Sequence, residues 1–285
     1  MKNIGVFGDS FAHRFNPRVR HDILDAKDNT QYMAKLLKVF PTWMEFIRDD
    51  TTSVTSHAVS GTDIIWSFTQ FEKHHEVYDK VIFLLTSPGR ISINYNFDNG
   101  IDQVSASAIQ RTKILQDKYR DDTSEQGREL YNTSLNLEKW HELCTVDGFL
   151  ERECIAYNLV IERIKQLRPD AKFIRSFSNF PKFWLPPNGK SRFTRMGTSL
   201  HDILEVEDKI LKYDQTFHMS NDVRQCHLTT ESHEILAGQI KKWLRNNKRF
   251  LDIDLLEFEG INPDPKKYFV SKHKTFDDWS KYNLK

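Results

Sequence analysis

A serine placed directly after a short apolar run is the first candidate for chemistry in this 285-residue chain. Residues 4–7 are Ile-Gly-Val-Phe, and Gly8-Asp9-Ser10 stops the run, a pattern typical of a buried strand that ends in a turn. Open α/β folds bind ligands at the carboxyl edge of the sheet, where Ser10 would lie. Ser10 is therefore a candidate nucleophile, although Gly, Asp and Ser are also ordinary turn formers, and the turn alone favours that second interpretation.

A nucleophilic serine needs a base that accepts its proton, and His227 is the leading candidate. It lies in a polar loop, residues 221–229, directly before the last amphipathic helix. That position brings it to the edge of the sheet where Ser10 is expected. His233 lies inside the helix and is the second choice.

Common nucleotide-binding and hydrolase motifs are missing from the sequence. Ala12 stands where the nucleophile elbow G-x-S-x-G has its last glycine, and neither G-x-G-x-x-G nor a P-loop occurs. Nucleotide binding and the common α/β-hydrolase elbow are both disfavoured.

The elements that must position Ser10 and His227 follow a strand, helix, strand rhythm. Strands are predicted at 3–8, 53–59, 81–85 and 171–177. Amphipathic helices are predicted at 64–71 after a cap at Thr62 or Asp63, at 147–167, and from Thr230 or Ser232 to 244. Such βαβ units predict an α/β fold with a mainly parallel sheet and helices on both faces.

One domain is predicted over residues 1–245, with a charged extension, 246–285, packed on its outside. Two irregular stretches, at about 91–133 and 179–215, break the rhythm and are interpreted as insertions. The second is rich in aromatic residues and proline. It is suited to line or cover a pocket, or equally to pack within the insertion.

Four blocks of the chain resemble, in the right order, the SGNH (GDSL-type) hydrolases, a superfamily of serine esterases and acylhydrolases. The blocks are Gly8-Asp9-Ser10 after the first strand, Ser60-Gly61 after the second, residues 167–174 as the passage from helix through proline into the fourth, and His227-Leu228-Thr229 leading into the last helix. The resemblance implies a three-layer α/β/α sandwich with a flavodoxin-like sheet and a serine–histidine–aspartate site. Ser10 would be the nucleophile and His227 the base, and the N–H groups of Ser10 and Gly61 would donate to the oxyanion.

The chain departs from the family pattern after the third strand. There the family usually supplies an asparagine to the oxyanion hole, but residues 84–90 are Leu-Leu-Thr-Ser-Pro-Gly-Arg. Either the hydroxyl of Thr86 or Ser87, or the charge of Arg90, takes the place of the asparagine, or the segment is only a turn.

A second departure concerns the acid that orients the histidine. Family members commonly place it three residues before the histidine, where this chain has Arg224, and the nearest acidic residue is Asp222. The sequence leaves two alternatives. Either Asp222 reaches His227, or the site is a serine–histidine dyad.

Composition disfavours several classes of partner. Because 41 Lys and Arg balance 40 Asp and Glu, no net charge attracts nucleic acid or an anionic membrane. A basic cluster within 241–249 complements the end of the last helix, which is its favoured interpretation over nucleic-acid binding. The three cysteines have neither metal-binding nor disulfide spacing. The apolar runs are too short for a signal peptide or a membrane span, so a cytoplasmic protein is expected.

The predicted function is hydrolysis of an ester, with O-acetyl or another short acyl group as the leading class, in a small molecule or a glycan. No metal and no organic cofactor is expected. The alternative is a catalytically weakened binding or assembly protein on the same fold. The oligomeric state is not predicted.

Overall fold

A computed structural model describes residues 2–13, 40–59, 62–86, 91–93, 102–104, 116–117, 119–144, 149–177, 198–211 and 227–263. Its strands are β1 (Lys2–Phe7), β2 (Thr52–Ser56), β3 (Lys80–Leu85), β4 (Ile91–Ile93), β5 (Asp102–Val104) and β6 (Lys172–Arg175). Its helices are α1 (Trp43–Ile47), α2 (Ile64–His74), α3 (Glu125–Cys144), α4 (Phe149–Leu167), α5 (Leu200–Ile210), α6 (Thr230–Leu244) and α7 (Leu256–Glu259), and a 3₁₀ turn, His75–Val77, follows α2.

Four of the strands form one parallel sheet in the order β2-β1-β3-β6. The chain passes from β1 outward to β2 and then returns to the other side of β1, which is the strand order of a flavodoxin-like fold. Val6 pairs with Ser56 on one side and with Ile82 on the other, so β1 is central and the strands end at a common edge. The predicted α/β class is confirmed. β4 and β5 form a separate antiparallel pair.

Side chains that alternate along β1 supply two separate cores. Ile4 and Val6 belong to the core under α1, α5 and α6, whereas Phe7 belongs to the core under α2 and α4. A strand covered on both faces is apolar at nearly every position, which explains the continuous run in the sequence. Helices on both faces make the fold a three-layer sandwich.

Helix α6, which directly follows the His227 loop, is anchored at both ends. Thr229 is its N-cap, and the Thr229 hydroxyl accepts the Ser232 N–H at 3.2 Å. At the other end the buried Lys172 of β6 donates its ammonium to the carbonyls of Asn246 at 2.6 Å and Lys248 at 2.7 Å. A cation at this position also complements the negative end of the helix dipole.

Parts of the predicted insertions and of the extension contribute to the core. Helix α5 lies within the second insertion, and its Leu200 and Ile203 are fully buried. In the extension, the Leu251 N–H donates to the Phe173 carbonyl at 3.0 Å, so this segment runs beside β6. Phe258 of α7 is buried in the core under α6. The extension is therefore part of the packed structure as far as residue 263, while residues 264–285 lie outside the described residues.

His57, directly after β2, lies inside a stack of rings. Its ring is parallel to that of Phe7, with centroids 5.0 Å apart, and to that of His74, with centroids 4.4 Å apart. Its Nε2 is 2.6 Å from the Tyr78 hydroxyl. Burial lowers the pKa of His57, and the neighbouring charge of His74 lowers it further. The fold therefore favours the neutral imidazole.

Stability should consequently fall as the pH drops from about 7 to about 5. The pKa of His57 is lower in the folded chain than in the unfolded chain, so the free energy of unfolding decreases once the pH falls through the unfolded value of about 6.5. Urea unfolding at several pH values should show a flatter dependence for His57→Phe, whose ring keeps the stack but does not titrate. Equal slopes for His57→Phe and wild type would contradict the assignment.

Candidate functional site

Ser10 lies in a tight turn that closes directly after β1. Gly8 has a φ of 149°, a conformation that L side chains rarely adopt, and an added Cβ would lie 2.5 Å from the Cβ of Leu84 in β3. The Ala12 N–H then donates to the Asp9 carbonyl at 3.0 Å. The turn holds Ser10 at the carboxyl edge of the central strand, with 7% of its surface exposed.

Asp9 joins the Ser10 turn to the end of β6. Its carboxylate is fully buried, and Oδ1 accepts the Ser176 hydroxyl at 2.9 Å and the Phe11 N–H at 3.2 Å. Ser176 is the first residue after β6 and donates its own N–H to the Leu85 carbonyl at 2.9 Å. The turn is thus fixed to both strands on that side of β1.

Side chains on the other side of the turn hold the residues that follow Ser10. The indole N–H of Trp43 in α1 donates to the Phe11 carbonyl at 3.0 Å, and the Ser56 hydroxyl donates to the Ala12 carbonyl at 2.6 Å. Elements from three parts of the chain therefore hold the backbone around Ser10, which is the preorganisation that a nucleophile requires.

The loop after β2 contacts the same turn. The Val59 N–H and the Thr62 hydroxyl both donate to the Gly8 carbonyl, at 3.3 Å and 3.1 Å. These two residues flank Ser60-Gly61, the block predicted to supply an N–H to the oxyanion. Gly61 itself lies outside the described residues, so its role stays a prediction.

His227 lies beside the Ser10 turn. The centroid of its ring is 5.1 Å from that of Phe11, the residue directly after Ser10, and the two ring planes are inclined by 56°. Its φ is 68°, and within the described ranges no other non-glycine residue has a positive φ. Such backbone conformations are uncommon outside glycine. They persist where the surrounding structure determines them, often at functional sites.

A buried carboxylate on α5 supports the segment that carries His227. Glu207 is fully buried, and its Oε1 accepts the N–H of Thr229 at 2.9 Å and the hydroxyl of Thr229 at 2.7 Å. Thr229 is the N-cap of α6 and lies two residues after His227. Helix α5, helix α6 and the histidine segment therefore meet at one point.

Thr86 follows β3 at the same edge of the sheet. Since Phe7 pairs with Phe83, the strand register brings Thr86 level with the Ser10 turn. Its carbonyl accepts the Tyr157 hydroxyl at 3.0 Å, while its own hydroxyl is buried and has no hydrogen-bond partner among the described residues. A buried hydroxyl in that state costs about 1–3 kcal/mol.

The structure brings Ser10, Thr86 and His227 to one edge of the sheet. Asp222, Ser87 and Arg90, like Gly61, fall outside the described residues, and the roles predicted for them are untested. Ser176 and Glu207 also contribute to this edge, although the sequence patterns did not single them out, and Asp9, predicted only as part of the turn, fixes that turn to β6. Ser176 carried a weak signal, because it is a polar residue near the end of the predicted strand 171–177.

No protein-family model matches the chain, and no curated protein matches it significantly. Across the described ranges, no group of three or more His, Cys, Asp or Glu side chains is arranged to hold a metal ion. In the same ranges, no helix has both the length and the apolar character needed to cross a bilayer.

Proposed function

We propose that the chain is a serine esterase or acylhydrolase of the SGNH type, with Ser10 as nucleophile and His227 as general base. The observation that carries the proposal is the contact between the His227 ring and Phe11, which brings the two ends of the domain together at the carboxyl edge of the sheet. The left-handed backbone of His227 and the fixed turn around Ser10 support it.

In the proposed reaction Ser10 Oγ attacks the ester carbonyl carbon while its proton passes to His227. The tetrahedral intermediate collapses, the bond to the alcohol oxygen breaks, and His227 gives the proton to the departing alcohol. In the second half His227 takes a proton from water, whose oxygen attacks the acyl carbon on Ser10. The acid leaves, the proton returns to Ser10 Oγ, and the free enzyme is restored.

The hydroxyl of Thr86 is the proposed replacement for the missing oxyanion asparagine. It is a buried donor at the correct edge of the sheet, and it makes no hydrogen bond with the described residues. A donor fixed before the reaction stabilises the developing negative charge without reorganisation. The N–H of Gly61 is the proposed second donor.

The proposed substrate is an ester with a short acyl group, O-acetyl above all, on a small molecule or a glycan. The support is the low exposure of Ser10, 7%, since a closely surrounded nucleophile favours a compact acyl group. No step of the reaction requires a metal or an organic cofactor.

Reaction with a fluorophosphonate probe tests the proposal on the full chain. The native chain should form a covalent adduct that peptide mass spectrometry locates on Ser10, and it should hydrolyse p-nitrophenyl acetate. Heat-denatured chain is the control for non-specific reaction. A folded chain that does neither would reject the enzyme assignment and favour the alternative, a binding or assembly protein on this fold.

Replacing Thr86 by valine should separate stability from activity. Valine has nearly the same shape without the hydroxyl, so the free energy of unfolding should stay equal or rise by up to about 1 kcal/mol. If the hydroxyl donates to the oxyanion, kcat should fall by about 10²-fold while KM changes little. Urea unfolding and p-nitrophenyl acetate kinetics measure the two effects.

Thr62→Val is the matched control for that substitution. The Thr62 hydroxyl donates to two carbonyls, those of Gly8 and Val59, so its loss should lower the free energy of unfolding. An unchanged kcat in Thr86→Val would assign oxyanion stabilisation to other donors.

A further inference from the structure

The fully buried carboxylate of Glu207 lies next to the segment that carries the proposed base. A buried carboxylate is stable only when hydrogen bonds or opposite charges compensate it. Here the N–H and the hydroxyl of Thr229 supply two hydrogen bonds, at 2.9 Å and 2.7 Å. We propose that Glu207 is a positioning residue for His227, which it holds at the Ser10 turn and whose protonated form it stabilises. This inference rests on the proposed function.

Only one residue separates His227 from Thr229, the residue that Glu207 binds. Thr229 is two residues after His227, so their Cα atoms are at most about 7 Å apart. Leu228, the residue between them, is buried with 1% of its surface exposed. Because the Glu207 carboxylate is hydrogen-bonded to Thr229 and Leu228 is buried, the backbone between His227 and Thr229 has little conformational freedom. This accounts for a histidine that keeps a φ of 68°.

The negative charge of Glu207 also affects the protonation of His227. When Ser10 gives up its proton, His227 becomes an imidazolium, and a nearby buried negative charge favours that form. In the sequence this role was predicted for Asp222, in the loop before the histidine. Glu207 provides it from a helix, which holds a charge more rigidly than a loop does.

Other charged groups near this point are engaged elsewhere or belong to neighbouring turns. On α5, the Asp202 carboxylate accepts the Ser199 N–H and hydroxyl, and the Glu205 carboxylate pairs with His201 at 3.4 Å. The remaining titratable side chains of the described elements around it are Asp208 and Lys209 of α5, Glu231, His233, Glu234, Lys241 and Lys242 of α6, Glu257 and Glu259 of α7, which packs against α5, and Asp9 of the β1 turn.

Glu207→Gln isolates the charge, because the amide oxygen still accepts from Thr229. The activity of a serine–histidine site rises with pH as the histidine loses its proton. Without the Glu207 charge the pKa of His227 should fall. The midpoint of the acid-side decrease in kcat/KM should therefore shift to lower pH by about one unit. kcat should fall about 10²-fold with little change in KM, because the imidazolium that His227 forms in the transition state loses a stabilising negative charge. Glu205→Gln, an exposed carboxylate on the same helix, is the matched control and should leave the profile unchanged.

An NMR titration of the His227 imidazole, assigned with His227→Gln, gives a readout that needs no activity. A lower His227 pKa in Glu207→Gln than in wild type supports the inference, and equal values overturn it. If wild type reacts with neither probe nor ester, the proposed function fails, yet this titration still decides the role of Glu207. If Glu207→Gln does not fold, the wild-type titration decides: a His227 pKa above about 6.5 supports the inference and a lower one overturns it.

Discussion

Replacing Ser10 by alanine should abolish labelling by the fluorophosphonate and lower the kcat of ester hydrolysis by at least about 10³-fold. Only an oxygen is removed. The hydrogen bonds described for the turn are made by the Asp9 carboxylate, by neighbouring side chains and by backbone groups, not by the Ser10 hydroxyl, so the fold should persist. The free energy of unfolding should therefore change by less than about 1 kcal/mol. Kinetics with p-nitrophenyl acetate and urea unfolding of the same preparation measure both.

His227→Ala provides the second half of this test. If Ser10 and His227 act as one unit, the double variant should lose no more activity than Ser10→Ala alone, because residues of a catalytic unit are strongly non-additive. Ser53→Ala is the matched control, since the Ser53 hydroxyl donates to Asn3 far from the turn. If the fold-losses in activity of the two single variants multiply in the double variant, the two side chains act independently. An active Ser10→Ala variant would reject Ser10 as the nucleophile.

The sheet was predictable from the sequence because its strands are covered on both faces. Each parallel strand then becomes a continuous apolar run ended by a turn, as in residues 4–10, and no pairing partner has to be known to recognise it. The carboxyl-edge rule then predicted the position of Ser10, and the resemblance to the SGNH pattern pointed to Thr86 after the third strand. The cap of α2 was predictable for a similar local reason: Asp63 precedes the apolar stripe, and its carboxylate accepts the Trp66 N–H at 2.7 Å.

Helix α5 was missed because a charged residue interrupts its apolar stripe. Leu200, Ile203 and Leu204 have helical spacing, but the next position on that face is Glu207. In a sequence, a glutamate is typical of a solvent-exposed position, and nothing local indicates that this one is buried against a partner. The hydrogen bond between Asp9 and Ser176 was not predictable either. Both depend on contacts between distant segments, which follow from strand order and helix placement and leave no periodic trace.

Replacing Gly8 by alanine should have the largest effect on stability, a loss of about 3–5 kcal/mol in the free energy of unfolding. Two effects add. A φ of 149° is strained for any L side chain, and the new Cβ would lie 2.5 Å from the Cβ of Leu84, an atom that cannot move without moving β3. The Gly8 carbonyl also accepts from Val59 and Thr62, so a shift would disturb the loop after β2 as well.

Gly238→Ala is the matched control, with the opposite expected sign. Gly238 lies inside α6, is exposed, and has no atom within 4 Å of an added Cβ. Alanine there should raise the free energy of unfolding by about 0.5–1 kcal/mol, because it restricts the unfolded chain and favours the helix. Urea unfolding of both variants measures the difference. A Gly8→Ala chain as stable as wild type would show that the turn before Ser10 can relax, and the rigid placement argued for the nucleophile would then be wrong.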